Sequence, residues 1–142
     1  MTGSKRFKPI QQLAERKERD AAAAFGKTLR DREAALQRLQ ELQQYHGEYL
    51  QRFDAATRMG MGGAQIQEYL AFIGKLEQAI AEQQRVLDQK QHVCDDSKQQ
   101  WRGQYTRSRA MDTVLERMRA DEQRERERRE QAASDERNQR RR

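Results

Sequence analysis

Apolar residues recur every seven positions through the second half of the chain. Counting in sevens from Ile66 gives Ile66, Ile73, Ile80, Leu87, Cys94, Trp101, Ser108 and Leu115. A second set lies three residues further along and contains Tyr69, Leu76, Met111 and Met118, with polar interruptions. Such a spacing, kept over many turns, is typical of a helix in a left-handed coiled coil. It predicts one long helix that buries a narrow stripe.

The first half carries a matching stripe. Its members are Ala22, Leu29, Leu36, Gln43 and Leu50 in one set, and Phe25, Leu39 and Phe53 in the other. Between the halves lies MGMGG, and glycine is costly in a helix and readily takes positive φ. The pattern predicts two helices joined at about 58–63, in which facing residues have numbers that sum to about 123. Leu50 then faces Ile73, and Ala22 faces Trp101.

The predicted fold is all-α: a long antiparallel two-helix coiled-coil hairpin with a charged, fraying C-terminal tail. Pro9 suits a first helical position, because its φ is fixed and its missing N–H is not needed there. We therefore expect a flexible basic N-terminus over 1–8, the hairpin over 9–118 and a tail, helical or disordered, over 119–142. The tail has no apolar stripe, and its i,i+4 Glu–Arg pairs stabilise a helix only by a few tenths of a kcal/mol each.

Composition narrows the classes of function. Apolar residues make up 35% of the 142 residues and charged residues 37%, which is too polar for a thick globular core. The net charge is +6, but Lys and Arg alternate with Asp and Glu, so nucleic acid is not expected as a partner. No run approaches the ~20 apolar residues of a membrane span. The lone Cys94 fits a reducing cytosol.

No catalytic, cofactor or metal site is predicted. His46 and His92 are far apart along the helices and lack a ligand pattern around them. Cys94 holds a seam position and is interpreted as buried packing. MGMGG lacks the lysine and hydroxyl of a phosphate-binding loop. The chain is therefore predicted not to be an enzyme and to take no small-molecule substrate.

Large apolar residues also fall outside the predicted seam near the turn. They form one row on each helix: Leu42, Tyr45 and Tyr49 on the first, and Phe72, Leu76 and Ala79 on the second. The hairpin brings both rows to the same level. Because two helices cannot cover apolar side chains on so many faces, we expect a partner site there. The alternative is that these residues widen the core, or that the seam is misassigned by one position.

The order of features resembles the flagellar export protein FliJ family. The stretches that carry the resemblance are RFKPIQQLAERKERDAA at the start, LQELQQYHGEYLQRF before the turn, QIQEYLAFIGKLEQAI after it, and an Arg/Glu-rich end. The resemblance implies a cytoplasmic component of the type III export apparatus, peripherally associated with the inner membrane at the flagellar base. It also implies a coiled coil similar to the central stalk of rotary ATPases.

The same resemblance implies three partners: the export ATPase ring, which receives the termini, the cytoplasmic domain of the membrane export gate, and export chaperones. Through the gate contact, the family helps couple proton-driven export. Carried over by motif, the gate-docking residues are Leu42, Tyr45, Tyr49, Phe72, Leu76 and Ala79. The candidate ATPase-ring contacts are the basic residues Arg16, Lys17, Arg19 and Arg109.

Two other interpretations stay open at this point. One is a structural coiled-coil scaffold with weak nucleic-acid affinity, whose partner would contact the charged arms. The other is an injectisome stalk that shares the fold and mechanism. A salt titration of binding distinguishes the scaffold from a protein that docks through an apolar face, because phosphate contacts weaken steeply with salt and apolar contacts do not.

Overall fold

The computed structural model describes residues 2–141, which form two α-helices. α1 spans Gly3–Arg58 and α2 spans Gly63–Arg140, and the two pack against each other. No β-strand occurs within residues 2–141. In the turn between the helices, Gly60 has a φ of 86°, a left-handed conformation that favours glycine. The prediction of an all-α hairpin that turns at the glycines is confirmed.

The first helix begins earlier than predicted. It starts at Gly3, so the expected start at Pro9 was wrong. A proline inside a helix removes one bond of the backbone ladder, which favours an end near it. Here the first turn has a partner on the other helix. The Ser4 N–H donates to Glu122 Oε1 at 2.9 Å, and Ser4 Oγ donates to Glu122 Oε2 at 2.6 Å.

The C-terminal segment continues the second helix. α2 stays helical to Arg140, through nearly all of the segment predicted to be helical or disordered. Exposed side-chain pairs run along it, including Arg129 with Glu125 at 3.6 Å and Arg140 with Glu136 at 3.0 Å. These are the i,i+4 pairs that support a helix with little tertiary contact.

The chain divides into two compact units. Unit 1 joins the residues up to Ala23 with those from Gln99 onward, and unit 2 is Ala24–Lys98. Within each unit, a stretch of α1 lies antiparallel to a stretch of α2. In unit 2, Arg32 Nη1 donates to Gln91 Oε1 at 3.5 Å. In unit 1, Gln11 Nε2 donates to Asp112 Oδ1 at 2.7 Å. Both contacts fit the predicted register.

The buried seam of α2 follows the predicted spacing. Its most buried members are Ile73, Leu76, Cys94, Ser108 and Leu115. On α1, one predicted set is confirmed, since Leu39 is buried and Phe25 and Phe53 are half-buried. The other set is displaced by one position. Leu50 is 42% exposed, and the seam passes instead through Ala14, Ala35, Leu42 and Tyr49.

Polar side chains in the α1 seam bond across to α2. Besides Ser4 and Gln11, Glu18 Oε1 accepts from Trp101 Nε1 at 3.0 Å in unit 1. In unit 2, His46 Nε2 lies 3.3 Å from Glu77 Oε1. A polar group in a seam destabilises the fold unless it finds a hydrogen-bond partner. These bonds therefore allow the seam to hold polar residues, and they favour one register.

Candidate partner-binding face

Five aromatic rings meet near the turn in unit 2. We call this set the aromatic cluster: Tyr45, Tyr49, Phe53, Tyr69 and Phe72. The centroids of Tyr49 and Phe72 are 4.4 Å apart, and those of Tyr45 and Phe72 are 6.1 Å apart at 85°. Rings at such distances attract each other beyond the area they bury. The sequence places them together because the turn brings 45–53 and 69–72 to one level.

The predicted docking residues differ in exposure. Leu76 is only 7% exposed and lies in the seam. Leu42 and Tyr49 also hold seam positions and are half-buried. On α1, therefore, the predicted seam was wrong by one position, which is one of the alternatives given above. Phe72 and Ala79 are half-buried beside the seam, and Tyr45 is 41% exposed. The structure thus brings all six residues to one region, and their role in docking stays a prediction.

The exposed side of the aromatic cluster forms what we call the Tyr45 flank of unit 2. Ionisable side chains surround it: Arg38, Glu41, Glu48 and Arg52 on α1, and Glu68, Lys75 and Glu82 on α2. The Arg52 guanidinium lies 5.6 Å from the Tyr49 ring centroid. An apolar centre with a charged rim is the usual anatomy of a protein-binding surface.

The candidate ATPase-ring contacts all lie in unit 1 and are exposed. Arg19 and Arg109 line one shallow groove together with Glu15, Glu18 and Asp112, whereas Lys17 lines another. Arg109 Nε donates to Tyr105 Oη at 3.1 Å, and this hydrogen bond raises the pKa of the Arg109 guanidinium. The four basic residues therefore do not form one patch, although Arg19 and Arg109 share a groove.

Charge is divided unevenly between the two units. Unit 1 contains 19 Lys and Arg against 12 Asp and Glu, whereas unit 2 contains 10 against 11. All of the excess positive charge of the protein therefore belongs to unit 1. Complementary charge guides association, so the surface of unit 1 is suited to acidic surfaces.

The described helices show no site for metal chemistry. Between residues 2 and 141, no group of three or more His, Cys, Asp or Glu side chains could hold a metal ion. Cys94 is 2% exposed, in agreement with its interpretation as packing. Within the same residues, neither helix has a stretch long and apolar enough to cross a membrane.

Two features of the helices were not found from the sequence. One is the set of polar seam residues on α1, which recur at the same seven-residue spacing as the apolar ones: Ser4, Gln11, Glu18, Arg32 and His46. A search for seven-residue repeats of hydrogen-bonding residues could have found it. The other is the exposure of Leu50 and Leu70 on the side away from Tyr45.

Comparison with known proteins identifies the family of the chain. The model of the family described as Flagellar FliJ protein matches residues 4–142. The Flagellar FliJ protein of Escherichia coli (strain K12) is 30% identical over 108 residues, which cover 76% of this chain and 74% of that protein. No solved structure gives a significant match. The chain therefore belongs to the flagellar FliJ protein family and is a non-enzymatic component of the flagellar export apparatus.

Proposed function

We propose that this chain is the stalk of the flagellar type III export apparatus, joining the export ATPase ring to the cytoplasmic domain of the membrane export gate. In this role it works in the cytoplasm at the inner membrane, helps couple proton-driven export and escorts empty export chaperones. Family membership supports a place in the export apparatus. The match to a flagellar family also favours the flagellar system over an injectisome.

The observation that carries the proposal is the different chemistry of the two units. Unit 2 carries the aromatic cluster and is close to electrically neutral, while unit 1 carries the whole excess of positive charge. An apolar docking surface and a basic surface suit two different partners. A chain that connects two components needs two such surfaces.

The gate contact is assigned to the Tyr45 flank. Tyr45 is exposed and its ring is held edge-on against Phe72, so a partner meets a pre-positioned aromatic side chain. Ring-bearing residues held in place by their neighbours dominate the binding energy of many interfaces. Leu42 and Ala79 are half-buried and stay part of the proposed face, whereas Leu76 is buried and supports the face more than it touches a partner.

The ring contact is assigned to unit 1. Arg16, Lys17 and Arg19 are exposed on α1, and Arg109 is exposed on α2. Their distribution over more than one groove suits a protein that is surrounded by its partner rather than bound from one side. Because exposed charges are screened by salt, binding to the ring should weaken as the ionic strength rises.

The test measures both contacts with the same chain. Binding of the purified full-length chain to the export ATPase and to the gate cytoplasmic domain is measured at ~0.1 M and ~0.5 M salt. Tyr45→Ala is expected to weaken gate binding only, and the triple variant Arg16→Ala, Lys17→Ala, Arg19→Ala to weaken ring binding only. A protein whose two variants both bind both partners like the wild type would not be the proposed stalk.

A further inference from the structure

Two of the exposed leucines lie on the side of unit 2 that faces away from the aromatic cluster. Leu50 is 42% exposed and Leu70 is 51% exposed. Successive residues turn by about 100° around a helix, so Leu50 points about 140° away from Tyr45, and Leu70 about 160° away from Phe72. Leu70 lies seven residues before Glu77, which bonds His46 across the seam on this side. We call this surface the Leu50 flank.

Charge is sparse on the Leu50 flank. Its outward positions are Leu36, Gln40, Gln43, Gly47, Leu50 and Asp54 on α1, and Gln67, Leu70, Gly74, Glu77, Ala81, Gln84 and Arg85 on α2. Asp54 and Arg85 lie at its two ends, and between them only Glu77 is ionisable, with its carboxylate 3.3 Å from His46 Nε2. The chain as a whole is 37% charged. Loss of charged residues around apolar ones is the composition of an interface core.

The helical glycines of this flank have no role in the packing of the hairpin. A Cβ atom added at Gly47 or at Gly74 would meet no other atom within 4 Å. Glycine within a helix is destabilising relative to alanine, so these two positions weaken the helices without relieving any contact. Bare backbone beside Leu50 and Leu70 leaves room for the close approach of another helix.

The size of the flank determines what can occupy it. The charge-poor stretch of α1 is about 15 residues, or ~22 Å long, and two helices present a width of ~20 Å. The resulting area of ~450 Å² is about half of the ~800 Å² that each partner buries in a stable complex. A homodimer through this flank alone would therefore be too small. A single helix lying in the groove between α1 and α2 fits it.

We propose that the Leu50 flank is a second docking surface, which binds one α-helix of a partner protein. The inward face of that helix is apolar and uncharged, apart from one Lys or Arg placed to meet Glu77. The flank is separate from the Tyr45 flank, so the helix and the export gate can be bound at the same time. The proposal does not depend on the assignment of the gate contact.

A synthetic peptide tests the binding of such a helix. The probe is a labelled 15-residue helical peptide of Ala and Gln with leucines at i, i+3, i+4, i+7 and i+11 and one Lys, and its control has the same composition in scrambled order. Fluorescence anisotropy with the full chain should give a Kd on the order of 10–100 μM, as expected for a small interface. Affinity should fall about tenfold or more for the control peptide and for Leu50→Gln with Leu70→Gln. Equal affinity for the scrambled peptide, or loss with Tyr45→Ala but not with the leucine variant, would overturn the proposal.

The glycines provide a test that separates binding from folding. The double variant Gly47→Ala and Gly74→Ala should raise the Tm, since alanine favours the helix. It should also lower the affinity for the peptide several-fold, because the added methyl groups keep the peptide helix further away. Gly103→Ala is the matched control, because a Cβ there also meets nothing within 4 Å and the residue lies in unit 1. It should raise the Tm without changing peptide affinity. Peptide affinity that is unchanged in the double variant would contradict the proposal.

Two further measurements distinguish the occupant. Sedimentation equilibrium of the full chain should show a monomer, and a dimer abolished by Leu50→Gln would mean that the flank binds a second copy instead. In cells, Leu50→Gln with Leu70→Gln should reduce flagellar export while gate and ring binding by the purified variant stay unchanged. Wild-type export in that strain, or loss of gate binding by the purified variant, would overturn the proposal of a separate docking surface.

Discussion

Tyr49 on α1 and Phe72 on α2 hold their ring centroids 4.4 Å apart, with an angle of 38° between the ring planes. Both side chains are half-buried, so each contributes to the packing of unit 2 as well as to its surface. Tyr45 differs, because it is exposed and meets the cluster edge-on, with its ring centroid 5.4 Å from that of Tyr49 and 6.1 Å from that of Phe72. Stability and docking can therefore be separated by comparing these residues.

Tyr45→Ala is predicted to reduce gate binding far more than stability. Loss of an exposed ring should lower the free energy of unfolding by less than ~1 kcal/mol. Loss of an aromatic anchor should reduce the binding free energy by ~1–3 kcal/mol. Chemical denaturation and calorimetric titration with the gate domain measure the two quantities. Ile73→Ala is the control, with a buried residue whose removal should lower stability by ~2–4 kcal/mol. If Tyr45→Ala unfolds as readily as Ile73→Ala, the assignment of the face is wrong.

Tyr49 and Phe72 should show energetic coupling. Because their rings are in contact, the double variant Tyr49→Ala with Phe72→Ala should be more stable than the sum of the single losses predicts, by ~0.5–1.5 kcal/mol. A double-mutant cycle of unfolding free energies measures this. The pair Tyr49 and Leu13, which belong to different units, is the uncoupled control. Additive losses for Tyr49 and Phe72 would show that the ring contact does not stabilise the hairpin in solution.

Much of the fold could be predicted from the sequence. The seven-residue spacing from Ile66 identified the α2 seam, and the glycines identified the turn. The α1 seam could not be placed as well, because its leucines are not all in it. Leu50 is exposed, while polar Gln11 and Ser4 are buried and bonded to α2. Hydrophobicity alone cannot identify a polar seam residue, since its partner becomes apparent only once the helices are paired.

The sequence predicted where the candidate site lies, but not which of its residues are exposed. The six residues of the predicted face do meet near the turn, because the glycines fix the level of both helices. How exposed these residues are depends on which positions of α1 form the seam. The observed seam lies one position from the predicted one, so Leu42 and Tyr49 are half-buried and Leu50 is exposed. A rotation of about 100° per residue is enough to exchange a buried flank for an exposed one.

The corrected seam can be checked by two leucines. Leu39→Ala, at a residue 4% exposed, should lower the free energy of unfolding by ~2–5 kcal/mol, because it leaves a cavity. Leu50→Ala should lower it by less than ~1 kcal/mol, since water already reaches that side chain. Urea denaturation of both variants measures the difference. Equal losses would support the seam that the sequence predicted and contradict the structure.

The bond between Ser4 and Glu122 predicts a dependence of stability on pH. The hydroxyl and the N–H of Ser4 donate to the ionised carboxylate, so they hold the pKa of Glu122 below its usual value of 4.5. The unfolded chain therefore binds the proton at a higher pH, and the contribution to stability is complete above that usual value. It is lost as the pH falls through the lowered pKa of the folded protein.

Ser4→Ala tests this contribution. The Tm difference between wild type and Ser4→Ala should be constant above about pH 6 and should shrink as the pH falls below about 4. Titration of the Glu122 carboxyl by NMR should show its pKa moving back toward the usual value in the variant. The same pKa for Glu122 in both proteins would mean that Ser4 does not hold the carboxylate in solution.

The hydrogen bond from Trp101 to Glu18 predicts how unit 1 responds to substitution. Trp101 Nε1 donates to Glu18 Oε1 at 3.0 Å, and the chain contains one tryptophan. Glu18→Ala removes this acceptor and should lower the free energy of unfolding by ~1 kcal/mol, while Glu18→Gln keeps a carbonyl acceptor and should lose less. Urea denaturation followed by Trp101 fluorescence measures both, and the emission of the folded protein should shift in Glu18→Ala but little in Glu18→Gln. Identical stability and emission in all three proteins would show that this bond does not hold the two helices of unit 1 together.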